Sequence, residues 1–222
     1  MCNRYGYQHP YNRLVAEFSE IGPVRWSGAE PNAPRDHIRP TNIAPVLRAH
    51  ADGGVELVDL RWGLVPFFHK QPAKDWKMLG TNARAENVHA TGMYRGAYTR
   101  RRCLVPATHY FEWTGEKGAK TMWRFHVPEQ EIFAFPGLWD RAGPAGEEYE
   151  SFTLLTSAPG PDQAPYHNRQ PVILDRSHWA AWLDPANHLA RSFQGSPAGT
   201  IAVAMADGAG NCSARQRNSR PG

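Results

Sequence analysis

The sequence predicts one strand-dominated α+β domain with a sheet-rich, barrel-like core and a few short helices. Three observations carry this. Five runs rich in Val, Phe, Trp, Leu and Thr read as strands. Two short segments carry the 3.6-residue apolar spacing of a helix. The 222 residues hold no internal repeat or long low-complexity stretch, and 41% of them are hydrophobic. That suits one large domain with its own core, and argues against solenoids and tandem modules.

The elements follow in chain order. Residues 11–21 (YNRLVAEFSEI) space their apolar side chains as one helix face. Residues 22–40 hold four prolines and few aliphatic side chains, which predicts a loop. Residues 55–66 (VELVDLRWGLVP) alternate and then turn apolar, as a strand does. Residues 101–113 (RRCLVPATHYFEW), 121–127 (TMWRFHV), 131–139 (EIFAFPGLW) and 151–157 (SFTLLTS) are the other strands. Residues 177–183 (SHWAAWL) set Trp179 and Trp182 three apart, on one side of a helix. The domain is expected to span residues 1–210, with a polar, frayed tail at 211–222.

Composition narrows the function classes. No run of about 18 apolar residues is present, so no membrane span is expected. The start lacks a basic region followed by an apolar stretch, so a secretory signal is not expected and the cytoplasm is. The three cysteines, Cys2, Cys103 and Cys212, form no C-x-x-C pair and suggest neither a disulfide framework nor a zinc knuckle. Cys103, in the apolar CLVP, reads as a small buried hydrophobe, and Cys212 as incidental. No metal and no organic cofactor is suggested. A net charge of +4 permits a nucleic-acid partner without requiring one.

The chemistry-bearing residues fall in a few segments. In MCNRY, loss of Met1 would leave Cys2 with a free amine and a thiol on one residue. Such an aminothiol attacks acyl groups or condenses with aldehydes, although Cys2 also reads as an ordinary second residue. TNARAE (81–86) offers Asn82, Arg84 and Glu86 with little apolar cover. In YFEW, period-2 alternation puts Phe111 and Trp113 on one face of a strand and Tyr110 and Glu112 on the other. Between aromatic neighbours the Glu112 carboxyl would be partly desolvated and its pKa raised towards an acid/base range. On an edge strand it would instead face water. YHNRQPVIL (166–174) places His167, a fair proton shuttle, and Arg169 just ahead of an apolar strand. His9, His37, His50, His69, His89, His178 and His188 sit in polar or loop contexts and read as bland. In VPFFHK, Phe67 and Phe68 form either an exposed pair able to stack on bases, or one core ring and one ring under a loop.

Eight segments in the same order resemble the SRAP (SOS-response-associated peptidase) family. They are MCNRY, RPTNIAPVLRA, RWGLVPFF, TNARAE, RRCLVPATHYFEW, FAFPGLWD, FTLLTSAP and HNRQPVIL, over roughly residues 1–184. The resemblance implies a SRAP-type fold acting, as a monomer and without cofactor, on single-stranded DNA that carries an abasic site. It implies a DNA-repair role in which Cys2, freed by self-removal of Met1, forms a covalent thiazolidine with the abasic aldehyde. That self-cleavage is the origin of the peptidase (hydrolase) name, and cleavage of other proteins is not expected. Lyase activity by β-elimination and crosslink reversal are further implied. Glu112 would act as general acid/base, Asn82 would hydrogen-bond the reacting terminus or the sugar, and His167 would move a proton near the 3′ phosphate. Arg4, Arg84 and Arg169 would contact phosphates, Phe67 and Phe68 would unstack the strand, and Thr156 would line the pocket.

The chain departs from the family pattern in places. Asn3 stands where the family has Gly, and is expected to tolerate left-handed backbone angles. Asn168 replaces an Asp, and Gln170 a Met or Arg. After Leu183 the family's closing strand can be sought only in the weak segment 199–211 (GTIAVAMADGAGN). Two competing readings remain. One is a single-strand-binding module that has lost the crosslink, motivated by those substitutions. The other is an N-terminal-cysteine amidohydrolase, which would need an oxyanion hole and an arginine clamp that the sequence does not present.

Overall fold

The computed structural model describes residues 2–26, 34–187 and 193–206. In chain order the elements are β1 (Tyr5–Tyr7), α1 (Tyr11–Phe18), β2 (Val24–Trp26), β3 (Arg35–Ile38), β4 (Ile43–Ala49), β5 (Val55–Trp62), β6 (Asn82–Arg84) and α2 (Gly92–Arg100). Then come β7 (Arg102–Ala107), β8 (His109–Thr114), β9 (Thr121–His126), β10 (Phe133–Ala142), β11 (Tyr149–Ser157), β12 (Gln170–Pro171), α3 (Trp179–Leu183) and β13 (Ala202–Ala206). This is the strand-rich α+β architecture the sequence predicts. The 211–222 tail, with Cys212, lies outside the described residues, as does His188.

Five strands close on themselves. β11, β10, β7, β4 and β5 pair antiparallel in that order, and β5 returns to β11 in parallel through Arg61↔Ser151 and Trp62↔Phe152. Closure removes the open edges that would otherwise template aggregation. β12 and β6 both add to β11, and β2 to β5. A second sheet runs β13-β9-β8-β1-β3. Between the two sheets lies an aromatic core. Tyr5 meets Trp62 and Phe135 edge-on at 5.0 and 5.9 Å, and Tyr110 stacks on Phe125 at 4.8 Å. Trp62 Nε1 donates to the Thr81 carbonyl and Trp182 Nε1 to that of Cys103, so the buried indoles are satisfied. Cys103 is itself fully buried.

Both sequence-predicted helices form. α1 runs on as a 3₁₀ turn to Ile21, and Phe18 stacks on Trp179 of α3 at 4.3 Å. A 3₁₀ turn, Arg176–His178, leads into α3 and is capped by Asp175, which accepts from the Ser177 amide. α2 is not legible in the sequence, because Gly92 and Gly96 dilute its pattern. Its buried Ala97 and Tyr98 anchor it, and Arg102 closes it by donating Nε to the Tyr98 carbonyl at 2.9 Å.

Three strand readings need correction. Residues 22–40 are not all loop, since β2 and β3 lie within them, each short enough to sit between prolines. β4 carries no clear strand signal because Pro45 interrupts its pattern. The run 101–113 is two strands in two sheets. It breaks at Thr108, whose amide donates to the Gly6 carbonyl, and this bend carries β8 away from the barrel. The closing strand does exist: β13 pairs along β9 from Ala202↔His126 to Ala206↔Met122.

At the crossing of β1 and β8 a glycine is required. A Cβ on Gly6 would lie 2.5 Å from both the Asp36 carbonyl oxygen and His109 Nε2. His109 is buried, donates Nε2 to that carbonyl at 3.0 Å, and has Nδ1 2.8 Å from the Thr108 hydroxyl. Burial holds its pKa down, at about 4, so the ring is neutral. Gly6→Ala is therefore expected to cost about 2–3 kcal/mol in chemical denaturation. A loss below about 0.5 kcal/mol would show that the crossing can relax.

Candidate functional site

The site is built where the N-terminal segment lies across β6 and β8. Cys2 is fully buried, and Asn82 Nδ2 donates to its carbonyl at 2.7 Å. The same amide nitrogen donates to Thr81 Oγ1 at 3.1 Å, while Tyr94 OH donates to the Asn82 carbonyl at 3.4 Å. Asn82 is delivered by β6, which pairs in parallel with β11 through Asn82↔Leu154 and Arg84↔Thr156. Asn3 is exposed and needs no left-handed backbone: Thr41 is the one non-glycine described residue with positive φ. The substitution of glycine there is thus accommodated in ordinary backbone space, without drawing on asparagine's tolerance of left-handed angles.

Glu112 does not face water. It is 3% exposed, flanked on β9 by its register partner Trp123, which pairs in turn with Met205 of β13. Burial pushes its carboxyl up to about 7, and the positive charge of the chain's terminal amine acts in the opposite sense. Burial first, and the Glu112 charge second, push the Cys2 thiol well up, so the resting sulfur is a neutral thiol. Cys2, Glu112 and Tyr110 thus share one buried space. The alternation read from YFEW holds: Phe111 and Trp113 share the other face, at 6.4 Å between centroids.

His167 stands on the turn before β12. Its Nδ1 accepts the Arg169 amide at 2.9 Å, which places the proton of the neutral ring on Nε2. Burial lowers its pKa, followed by the terminal amine's charge. That charge therefore acts on Glu112 and His167 alike. Arg169 directs its guanidinium inward, Nη1 and Nη2 donating to the Glu86 carboxylate at 2.6 and 2.9 Å and Nη2 to the Thr156 carbonyl at 2.7 Å. Thr156 is buried and donates Oγ1 to the Ala83 carbonyl at 3.3 Å. Of the substituted positions, Asn168 is exposed, whereas Gln170 is buried and doubly used. Gln170 accepts from the Gly160 amide and donates to Ser196 Oγ, both at 2.8 Å.

Around this centre lie basic and aromatic groups. Arg84 is exposed. Arg4 lays its guanidinium 4.8 Å from the Trp113 ring centroid. Phe67 and Phe68, 49% and 50% exposed, form an edge-on pair at 5.6 Å, backed by Trp76 at 6.1 Å from Phe68. Of the two readings of this pair, exposure is the observed one. The loop carrying it is pinched where the Leu64 amide donates to the Gly80 carbonyl at 2.9 Å, two residues before Asn82. Trp76 and Gln163 escaped the sequence reading, and Trp113 enters it only as a neighbour of Glu112 on the opposite strand face. Gln163 is buried between the Tyr110 hydroxyl, which it accepts at 2.9 Å, and the Arg169 carbonyl, to which it donates at 3.3 Å. A lone Gln in a proline-rich loop carries no signal of that kind.

Among the described residues no three His, Cys, Asp or Glu side chains converge as a metal set, and no helix is long and apolar enough to cross a membrane.

Comparison with known proteins gives this geometry a family. The family model for SOS response associated peptidase (SRAP) matches residues 1–204, which reaches through Cys2, Glu112 and His167 into β13. The chain belongs to the SRAP family. The abasic site processing protein YoqW of Bacillus subtilis is 30% identical over 194 residues, covering 84% of this chain and 82% of its own. The abasic site processing protein HMCES of Gallus gallus is 27% identical over 65% of this chain and 52% of its own. A crystal structure of a protein from Bacteroides thetaiotaomicron superposes with a TM-score of 0.82 at 22% identity, over 93% of each chain. That last likeness shows a shared fold.

Proposed function

We propose that this SRAP protein processes abasic sites in DNA by covalent capture. Substrate is single-stranded DNA bearing an abasic site, and the linking residue is Cys2 after loss of Met1. The observation that carries the reading is a buried cysteine next to the chain's start, its carbonyl gripped by Asn82 and its thiol sharing a space with Glu112.

The chemistry follows from those groups. An abasic sugar exists partly as a ring-opened aldehyde. The Cys2 amine, with an ordinary pKa of about 7.7–8.0, is partly neutral near pH 7 and adds to the aldehyde carbon. Protonated Glu112 gives its proton to the departing hydroxyl, water leaves, and an imine remains. The Cys2 thiol then adds across the C=N bond: sulfur bonds to carbon, its proton passes by way of the Glu112 carboxylate to the ring nitrogen, and a thiazolidine closes. Asn82 holds the Cys2 carbonyl still, leaving the amine and thiol to meet one carbon. His167, with its proton on Nε2, serves the same imine in crosslink reversal or in β-elimination beside the 3′ phosphate.

The exposed groups supply the DNA contact. Arg84 offers a phosphate contact, Arg4 another beside Trp113, and Phe67 with Phe68 a surface for an unstacked base. Arg84→Ala is expected to weaken binding on all sequences alike and to reduce the log–log salt slope by about 0.7, one phosphate's worth on a single strand. An unchanged slope would remove Arg84 from the DNA path.

The direct test is a denaturing gel of the protein with a single-stranded oligonucleotide carrying one abasic site, beside an intact oligonucleotide. A shifted band that requires the abasic site, and an N-terminal peptide lacking Met1, support the reading. No shifted band with Cys2 verified as the first residue would sink it and favour a non-covalent binding module.

A further inference from the structure

Glu86 and Arg169 lie 83 residues apart in the chain and form a fork-to-fork pair at 2.6 and 2.9 Å. The Arg169 side chain is 15% exposed, and its Nη2 also donates to the Thr156 carbonyl at 2.7 Å and lies 3.3 Å from Thr156 Oγ1. These bonds occupy most of the guanidinium, and its Nε is buried without a hydrogen-bond partner among the described residues. The family resemblance assigns this same fork to a phosphate, and Glu86 occupies it here. The Arg169 backbone does something else: its amide donates to His167 Nδ1 at 2.9 Å, and its carbonyl accepts from Gln163, which also holds Tyr110.

We propose that Glu86 is a positioning residue of this site: by locking the Arg169 guanidinium against β11 it fixes the backbone that sets the orientation and tautomer of His167. The inference rests on the proposed covalent chemistry for its consequence, although its geometry stands without it. The chain of contacts is short and directional. Glu86, at the end of the TNARAE segment, holds Arg169. Arg169 fastens the turn to Thr156, which pairs in register with Arg84 on β6. The same turn presents His167 with Nδ1 occupied and Nε2 carrying the proton. Neutralisation matters as well as geometry. Arg169 and the terminal amine are the charges that lower the His167 pKa, after burial, and Glu86 is the carboxylate paired with that arginine. The Glu86 carboxyl is itself held below its usual range, chiefly by its hydrogen bonds from Arg169, so it stays ionised through neutral pH.

The test uses the whole chain with Glu86→Ala, Glu86→Asp and Arg169→Lys, each with single-turnover capture, heat-stable product yield and 15N spectra of the His167 ring. Non-covalent affinity is read in parallel on a Cys2→Ala background with an abasic single strand. Glu86→Ala is expected to lower the rate of reversal or strand cleavage about tenfold, with affinity held within about threefold, and to replace the Nε2–H signature by a tautomer mixture. Arg169→Lys keeps the charge and loses the fork, so its His167 spectrum should match that of Glu86→Ala, while Glu86→Asp should partly restore the wild-type signature. Two results overturn the inference. One is a Glu86→Ala protein with the wild-type His167 spectrum and rates. The other is tighter DNA binding with a steeper salt slope, meaning that Glu86 merely competes with phosphate for Arg169. If wild-type protein shows no capture at all, the covalent reading fails, and the His167 spectra still decide the role of Glu86.

Discussion

Cys2→Ala is expected to give no heat-stable DNA adduct while binding an abasic single strand with an affinity within about twofold of wild type, because the thiol is buried and meets no phosphate. The loss should be complete, since no other residue places an amine and a thiol on adjacent carbons. The order of steps makes the expectation sharper. The resting sulfur is a neutral thiol held up by burial and by the Glu112 charge, so the amine attacks first and the thiol second. Once Met1 is removed, the variant still begins with a free α-amine, which can form the imine without a thiol to close the ring. Borohydride reduction should therefore trap the Cys2→Ala protein on abasic DNA, whereas untreated mixtures should release it on heating. A heat-stable product from Cys2→Ala without reductant would rule out the thiazolidine. Failure of the trap, with a free N-terminus confirmed, would rule out the amine-first order.

The contrast between what the sequence made legible and what it hid has a physical pattern. The alternation in YFEW is local, and it put Glu112 opposite Phe111 and Trp113 correctly. Its burial is not local: the strand is flanked by β1 on one side and by β9, which sets Trp123 beside Glu112, on the other. Residues 199–206 look too poor in large side chains for a strand, yet five consecutive pairings with β9 settle it. The break at Thr108 was invisible because both halves of 101–113 are apolar. Only the Gly6 crossing, set by a contact over a hundred residues away, divides them. Arg169 shows the same limit among site residues. The family resemblance assigns its guanidinium to a phosphate, and no sequence window shows that the fold also brings Glu86, two residues past β6, onto the same group. Motif resemblance succeeded where periodicity could not, since eight ordered segments encode long-range pairings that no single window contains.

Glu112→Gln is expected to slow capture by about 10²–10³-fold and to change how both rate and stability depend on pH. In the wild type the reactive state carries one shared proton, either as neutral amine with protonated carboxyl or as the equivalent ion pair. The rate should then rise with pH as the doubly protonated site loses a proton and fall again as the last proton leaves. Because the Glu112 carboxyl, raised to about 7 by burial, and the amine feel each other's charge, the two apparent values belong to the pair, and the maximum lies between them. The amide variant has no titrating partner, so its much slower rate should rise with amine deprotonation and then stay level. Stability supplies an independent check with the opposite advantage. The folded chain raises the Glu112 pKa from 4.5 to about 7, so between those values it holds a proton that the unfolded chain has released. Stability accordingly falls as pH rises through that window, by roughly 3 kcal/mol, and the loss is complete above about pH 7. Glu112→Gln removes it. The variant should therefore unfold at higher denaturant than wild type at about pH 8, with the gap closing towards pH 4.5. A gap of equal size at both pH values would mean that the carboxyl is not charged at a cost in the folded site. The raised pKa would then lose its physical basis, and with it the case for Glu112 as the acid that expels water from the imine-forming carbon. A gap confined to high pH, beside a flattened alkaline limb in the rate profile, would tie both effects to one buried proton. The site would then keep its acid ready only by holding a carboxyl where the fold alone would prefer an amide.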